Sequence, residues 1–258
     1  MQSVRFVAIG DSFTEGVGDE RPPGNGAERG ERGWADLVAE GWAEARREPI
    51  EYANLAIRGR LAWPIIEGQL EPALALKPTH LSFNGGGNDM LRPRTPLTRI
   101  VDAFEHVLRR CDEEGVQLIL LSGGDPTAQL PLGGMIRRRG DALAALVETR
   151  LAGRTDVIRA LNWPDAELAT PPFWAPDRLH LNARGHHRVA ARVLTSLGLE
   201  PDPSWWSIPD DAPPHLGRLA HARQYVRPWL GRRLTGRSSG DDRTAKYPDW
   251  IEVAPTTA

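Results

Sequence analysis

Apolar positions along the chain change period repeatedly, from short continuous runs to helical spacing and back. Val4 to Ile9 is a short apolar run closed by Gly10, which reads as a buried strand. Trp34, Leu37, Val38 and Trp42 then recur at helical spacing within Trp34 to Arg47. Tyr52 to Ile57 reads as a second strand and Ile65 to Leu76 as a helix closed by Pro78. His80 to Asn84 is a third strand that runs into three glycines, and Thr98 to Glu114 is an amphipathic helix that stops at Gly115. Val116 to Leu121 is the strongest strand; Asp141 to Leu151 follows as helix, Val157 to Leu161 as strand and Ala183 to Leu197 as a last helix. This alternation predicts a mostly parallel sheet with helices on both faces.

Beyond Gly198 the pattern breaks. Five prolines (Pro201, Pro203, Pro209, Pro213, Pro214) accompany Trp205 and Trp206, a helix is expected over Leu216 to Leu234, and Gly236 to Thr244 leads to an end without pattern. We therefore divide the chain into an α/β domain over 1–198 and a Pro/Trp-rich extension over 199–258. Its tryptophans call for burial against the core; partial disorder and a contact between copies of the chain are the other readings. No internal repeat is visible.

With 258 residues, 40% hydrophobic and 26% charged, the chain can bury one sizeable core. A net charge of -2 argues against whole-chain disorder and against a nucleic-acid surface, which needs a concentrated basic face. Lys77 and Lys246 are the only lysines, so Schiff-base, Ser-Lys and P-loop chemistry have few candidates. Cys111, the sole cysteine, excludes an intrachain disulfide and reads as structural. Arg5 interrupts the first apolar run, so no signal peptide is expected, and no apolar stretch reaches membrane-spanning length. The expectation is a cytoplasmic protein without stable membrane insertion.

Sites in such sheets form beyond the carboxyl ends of the strands, and polar clusters stand there. Gly10-Asp11-Ser12-Phe13-Thr14-Glu15-Gly16 follows the first strand. Alone, Asp11 or Ser12 reads equally well as a helix cap. Asn54 to Gly59 follows the second, and Gly59 is as readily a turn glycine. Gly85-Gly86-Gly87-Asn88-Asp89 follows the third, where Asn88 could be a left-handed turn residue. Asp177-Arg178-Leu179-His180 precedes the last helix. Of seven histidines, His180 has a carboxylate three residues earlier, placed to orient it as the base of a serine hydroxyl, although a surface pair would look the same. His186 and His187 lie in the last helix, one packed and one exposed, and His80 and His106 read as structural. No Gly-x-Ser-x-Gly elbow, no Gly-Lys-Ser/Thr ending and no G-x-G-x-x-G is present in these positions.

In this order the clusters resemble the four blocks of the SGNH or GDSL hydrolases: Gly10-Asp11-Ser12 with Gly16, Asn54 with Gly59, Gly86-Gly87-Asn88-Asp89, and Asp177 with His180. Asn182 and Gly185-His186 extend the likeness, and Phe13 stands where many relatives have Leu or Ile. The resemblance covers residues 1 to about 198. It implies a three-layer α/β/α sandwich, flavodoxin-like, and a carboxylic ester hydrolase acting on a small-molecule ester or thioester without metal or cofactor. In the implied triad Ser12 is the nucleophile, His180 the base and Asp177 its orienting acid. Ser12 N–H, Gly59 N–H and the Asn88 amide form the implied oxyanion hole. An acyltransferase using the same residues, and a binding protein that keeps the fold without turnover, are the alternatives.

Overall fold

The computed structural model describes residues 3–20, 30–130, 133–208, 217–228 and 238–256. Strands that are apolar on both faces have to be covered on both sides, and β1 (Arg5–Ile9) shows how this is done. Val7 and Ile9 enter one apolar cluster, Phe6 and Ala8 the other. The same alternation divides β4 (Gln117–Leu121), with Leu118 and Leu120 on one face and Ile119 and Leu121 on the opposite one.

Six strands form the sheet, in the order β5-β4-β3-β1-β2-β6. β2 (Ile50–Asn54), β3 (His80–Phe83) and β5 (Ile158–Ala160) run parallel with β1 and β4. Without β6 the order is 2-1-3-4-5, the flavodoxin-like winding, whose switch point lies between β1 and β3. The loops after β1 and β3 therefore diverge and leave a crevice above the strand ends.

Short α1 (Ser12–Glu15) opens at that crevice. On one face of the sheet lie α2 (Trp34–Arg46) and α8 (Ala183–Ser196), which bury Trp34, Leu37, Val38, Val189 and Val193. On the other lies a helix made of α3 (Ala62–Ile65), a π turn (Ile66–Leu70) and α4 (Glu71–Ala75). α5 (Gly87–Met90), α6 (Leu97–Glu114) and α7 (Gly133–Arg150) complete that layer. Ile100, Phe104, Val107 and Cys111 give α6 its buried stripe, and Gly115 ends it in the left-handed conformation at φ 67°. The expected sandwich is the observed one.

Two expectations are corrected. The helix expected to start at Asp141 starts at Gly133, so that the stretch from Gly133 to Gly140, rich in glycine and arginine, forms its first turns, and Gly140 carries a packing role. A Cβ on Gly140 would lie 2.0 Å from the Trp163 ring. The end of the chain, read as without pattern, contains β6 (Tyr247–Val253), antiparallel to β2 at the sheet edge. Pro248 hides it from a sequence reading, since proline is compatible with a strand only at an edge or a bulge. The pairing has an irregular register at Tyr52/Asn54.

Between α8 and β6 the extension places Trp205 against the His187 ring and Trp206 beneath the Arg188 guanidinium. α9 (Arg218–His221) runs into a π turn over Ala222–Val226. The rest of the helix expected over Leu216 to Leu234 lies partly outside the described residues.

Candidate active site

The turn after β1 is built so that Ser12 emerges at the crevice. Asp11 caps α1 by accepting from Phe13 N–H at 3.1 Å, and Ser12 is the first helical residue. The first N–H groups of a helix have no partner within it. Gly10 is obligatory here, because a Cβ would lie 2.4 Å from Thr14 Oγ1 and 2.9 Å from Asn84 O.

His180 arrives from the far end of the chain. Trp174 and Leu181 form an isolated bridge, and Ala175 N–H donates to His180 O at 2.8 Å. Arg178 takes φ 63° to turn the loop between them. Asp177 Oδ1 accepts from the Leu179 and His180 N–H groups at 3.0 Å each, so the carboxylate is fixed by its own loop. Its Oδ2 lies 2.5 Å from His180 Nδ1. His180 Nε2 lies 3.1 Å from Ser12 Oγ. Residues 168 positions apart thus form one hydrogen-bonded chain, serine to imidazole to carboxylate. Burial works to raise the Asp177 pKa, but the hydrogen bonds and charge of His180 outweigh it and hold the carboxyl below its ordinary range.

Asn88 stands on α5, behind Gly86 at φ 90°. Its Nδ2 donates to Asp11 Oδ2 and to Arg60 O, both at 3.0 Å. Burial pushes the Asp11 carboxyl up to about 6 against the hydrogen bonds of Phe13 and Asn88 and the charge of His180. Asp89, the next residue, accepts from Ala62 N–H at 2.9 Å and caps the helix opposite.

A cavity of about 630 Å³ brings Ser12, Asn88 and His180 to one wall. Gly59 is not among its lining residues. It sits beside that wall at φ 76°, one residue before the Arg60 carbonyl that Asn88 holds, and a Cβ there would lie 2.3 Å from Ser238 Oγ. Among the described residues, no group of three or more His, Cys, Asp or Glu is placed to hold a metal ion. No described helix is long and apolar enough to cross a membrane.

Residues 8–188 match the model of the GDSL-like lipase/acylhydrolase family, a span that contains Ser12, Gly59, Asn88, Asp177 and His180. The chain belongs to this family. Ester hydrolysis in general is the chemistry that membership supports. Similar solved structures include a lipase, Lip_vut3, from a goat rumen metagenome, 15% identical with a TM-score of 0.60; the likeness covers 75% of this chain and 97% of that one. An acetylxylan esterase, Axe2, from Geobacillus stearothermophilus, solved as a catalytic mutant, is 20% identical with a TM-score of 0.60 over 78% and 97% of the two chains. A psychrotrophic esterase, EstA, from Pseudoalteromonas sp. is 16% identical with a TM-score of 0.54 over 75% and 96%. At these identities the likeness is one of fold. No curated protein matches the chain.

Within this GDSL-family frame, other side chains hold the site in shape and have no spacing signal. Gln69, buried and carried inward by the π turn, accepts from Gly10 N–H at 2.8 Å and donates to Gly10 O at 3.0 Å. π turns recur at functional sites. Glu15, also buried, accepts from Arg58 N–H at 2.6 Å and from its guanidinium at 2.5 Å, which ties the Gly59 loop to α1. His221 Nε2 lies 3.0 Å from Asp177 O, so the extension touches the acid's loop. His186 is packed and structural: Trp34 N–H donates to its Nδ1, and its Nε2 lies 3.2 Å from Val17 O.

Proposed function

We propose that the protein is a serine ester hydrolase working through an acyl-enzyme, with Ser12 as nucleophile, His180 as base and Asp177 as its orienting acid. The observation that carries this reading is the position of His180, whose ring nitrogens meet Ser12 Oγ at 3.1 Å and Asp177 Oδ2 at 2.5 Å. Asp177 selects the tautomer with the proton on Nδ1, which leaves Nε2 able to take the Ser12 proton.

Ser12 Oγ attacks the ester carbonyl while His180 Nε2 takes its proton. The ester C–O bond then breaks, and the alcohol leaves with that proton. Water, deprotonated by His180, attacks the acyl-serine and releases the carboxylic acid and the free hydroxyl. Asp177 stays ionised and stabilises the imidazolium. The Ser12 N–H at the start of α1 and the Asn88 amide supply donors to the developing oxyanion, with Asn88 exchanging its Arg60 carbonyl for the substrate oxygen. Gly59 N–H serves as third donor when the loop that Glu15 holds turns it to the carbonyl.

Ser12→Ala removes the small hydroxyl of a half-buried residue and is expected to abolish hydrolysis of p-nitrophenyl esters and labelling by a fluorophosphonate, with an unchanged circular dichroism spectrum. A folded Ser12→Ala protein that retains turnover overturns the assignment.

A further inference from the structure

The catalytic cavity extends far beyond what an ester carbonyl needs. From Ser12 and His180 it continues beneath α7, where Phe104, Leu120, Leu143 and Val147 line it. Protein interiors pack to crystal density with few voids larger than a water molecule. A continuous space of about 630 Å³ opening on a reactive hydroxyl is of ligand size.

The packing of α7 shows why the space persists. An 18-residue helix over a sheet would normally bury a full apolar stripe, yet Leu143 is the one large side chain that α7 buries. Leu143 and Phe104 keep 8% and 7% of their surface, consistent with walls of a cavity. Polar ties add to this reduced packing. Arg139 donates to the carbonyls of Met90, Arg92, Pro93 and Thr95, Arg137 pairs with Asp125 at 2.9 Å, and Trp163 Nε1 donates to Asp141 at 2.8 Å. The roof thus rests on its edges over a hollow.

The apolar lining positions of α7 follow one stripe, from Ile136 through Gly140 and Leu143 to Val147; the charged Arg137, Asp141 and Glu148 also line the space and are engaged by Asp125, Trp163 and Arg159. At 1.5 Å per residue that stripe is roughly 16 Å long. A sugar hydroxyl placed along it would lose hydrogen bonds to water and find side chains unable to replace them. An alkyl chain would lose nothing.

Resting on the assignment of Ser12 as nucleophile, we infer that the space beneath α7 binds the acyl chain of the substrate, so that the preferred esters carry medium-length linear aliphatic acyl groups. Each methylene that enters the space contributes hydrophobic free energy to the acylation transition state, equivalent to about threefold to fourfold in kcat/KM.

The test is a series of p-nitrophenyl acetate, butyrate, octanoate and laurate, with wild type and Ala144→Phe, which places a ring in the space from α7. Wild-type kcat/KM is expected to rise more than tenfold from acetate to octanoate, and Ala144→Phe to lower the octanoate-to-acetate ratio at least tenfold. A flat or falling wild-type series overturns the inference while leaving the nucleophile assignment intact. Calorimetric binding of laurate to Ser12→Ala reads the same space without turnover, and is the deciding measurement should Ala144→Phe not fold. Saturable binding at one site sustains the acyl space even where no ester is hydrolysed and the assignment of Ser12 has failed; absence of binding overturns it.

Discussion

At the scale of single residues, the groups proposed to react differ in setting from the groups that hold them. His180 and His186 make the contrast plain. His180 lies at the crevice between Ser12 and Asp177, whereas His186 is enclosed by Trp34 and Val17. His180→Ala is expected to remove nearly all turnover with little loss of stability, and His186→Ala the reverse, read by kcat on p-nitrophenyl butyrate beside a urea titration. Full turnover in His180→Ala would refute the base assignment. Gln69 is the sharper case. Gly10 O keeps a second partner in Ile57 N–H at 3.2 Å, but Gly10 N–H is held by Gln69. Gln69→Leu orphans that buried donor, at a cost of about 1–3 kcal/mol, and lets the turn that carries Ser12 shift. The expected outcome is kcat lowered at least tenfold with KM nearly unchanged; a variant that loses stability but keeps kcat makes Gln69 a fold residue only. Ser12, Asp177 and His180 were legible as residue types at telling spacings. Gln69 and Glu15 were not, because their partners are backbone groups 59 and 43 positions away, and no local pattern marks them.

Among the elements, those with a full apolar period stand close to where the pattern puts them, and those with a broken one extend beyond it or escape it. α6 carries an uninterrupted stripe and was placed to within a residue. α7 carries half of one, because a cavity lies where its remaining apolar contacts would be, so its first turns show no helical period in the sequence. β6 is held by β2 on one side and is open on the other, and its proline and mixed exposure conceal it. It nevertheless buries apolar surface on both faces of the sheet, with Trp250 toward one cluster and Tyr247, Ile251 and Val253 toward the other. A chain ending at residue 246 would expose that surface and the edge of β2. We expect its Tm to fall by roughly 5–10 °C and light scattering to reveal association. An unchanged Tm in a monomeric truncated chain would show that β6 is dispensable.

For the whole molecule, buried titratable groups set the response to acid. Burial lowers the His186 pKa to about 4, does the same to His80, and lowers that of His187. Each of these histidines is held neutral in the fold, so its contribution to stability is complete above its ordinary value of 6.5 and is lost as pH falls through the lowered value. In that window the unfolded chain binds the extra proton, and stability falls by up to about 1.4 kcal/mol per pH unit for each group. Asp11, pushed up to about 6 by burial, works in the opposite direction: its contribution is present below 3.8 and lost as pH rises through about 6. Asp89 is raised too, with the same sign. Three histidines outweigh the two carboxyls, so the urea midpoint should drop steadily from pH 6.5 to 4. Asp11→Asn, which removes one opposing group, should make the drop steeper. A midpoint that stays level or climbs over this range contradicts the account.

The sequence by itself determined the layered architecture, since runs apolar on both strand faces and amphipathic helices between them have few other ways to bury their surface. It also carries the residues proposed for the chemistry, through the order of four blocks that resembles one family; a serine after a strand or an Asp-x-x-His before a helix is ambiguous by itself. Only the tertiary structure decided that these meet, since the distance from Ser12 to His180 depends on the strand order and on the bridge of Trp174 to Leu181. It alone decided the hydrogen bonds Asn88 makes, the edge position of β6 and the hollow beneath α7. Such features arise from what neighbours leave open or close off, and a hydrophobic period records only what a segment offers.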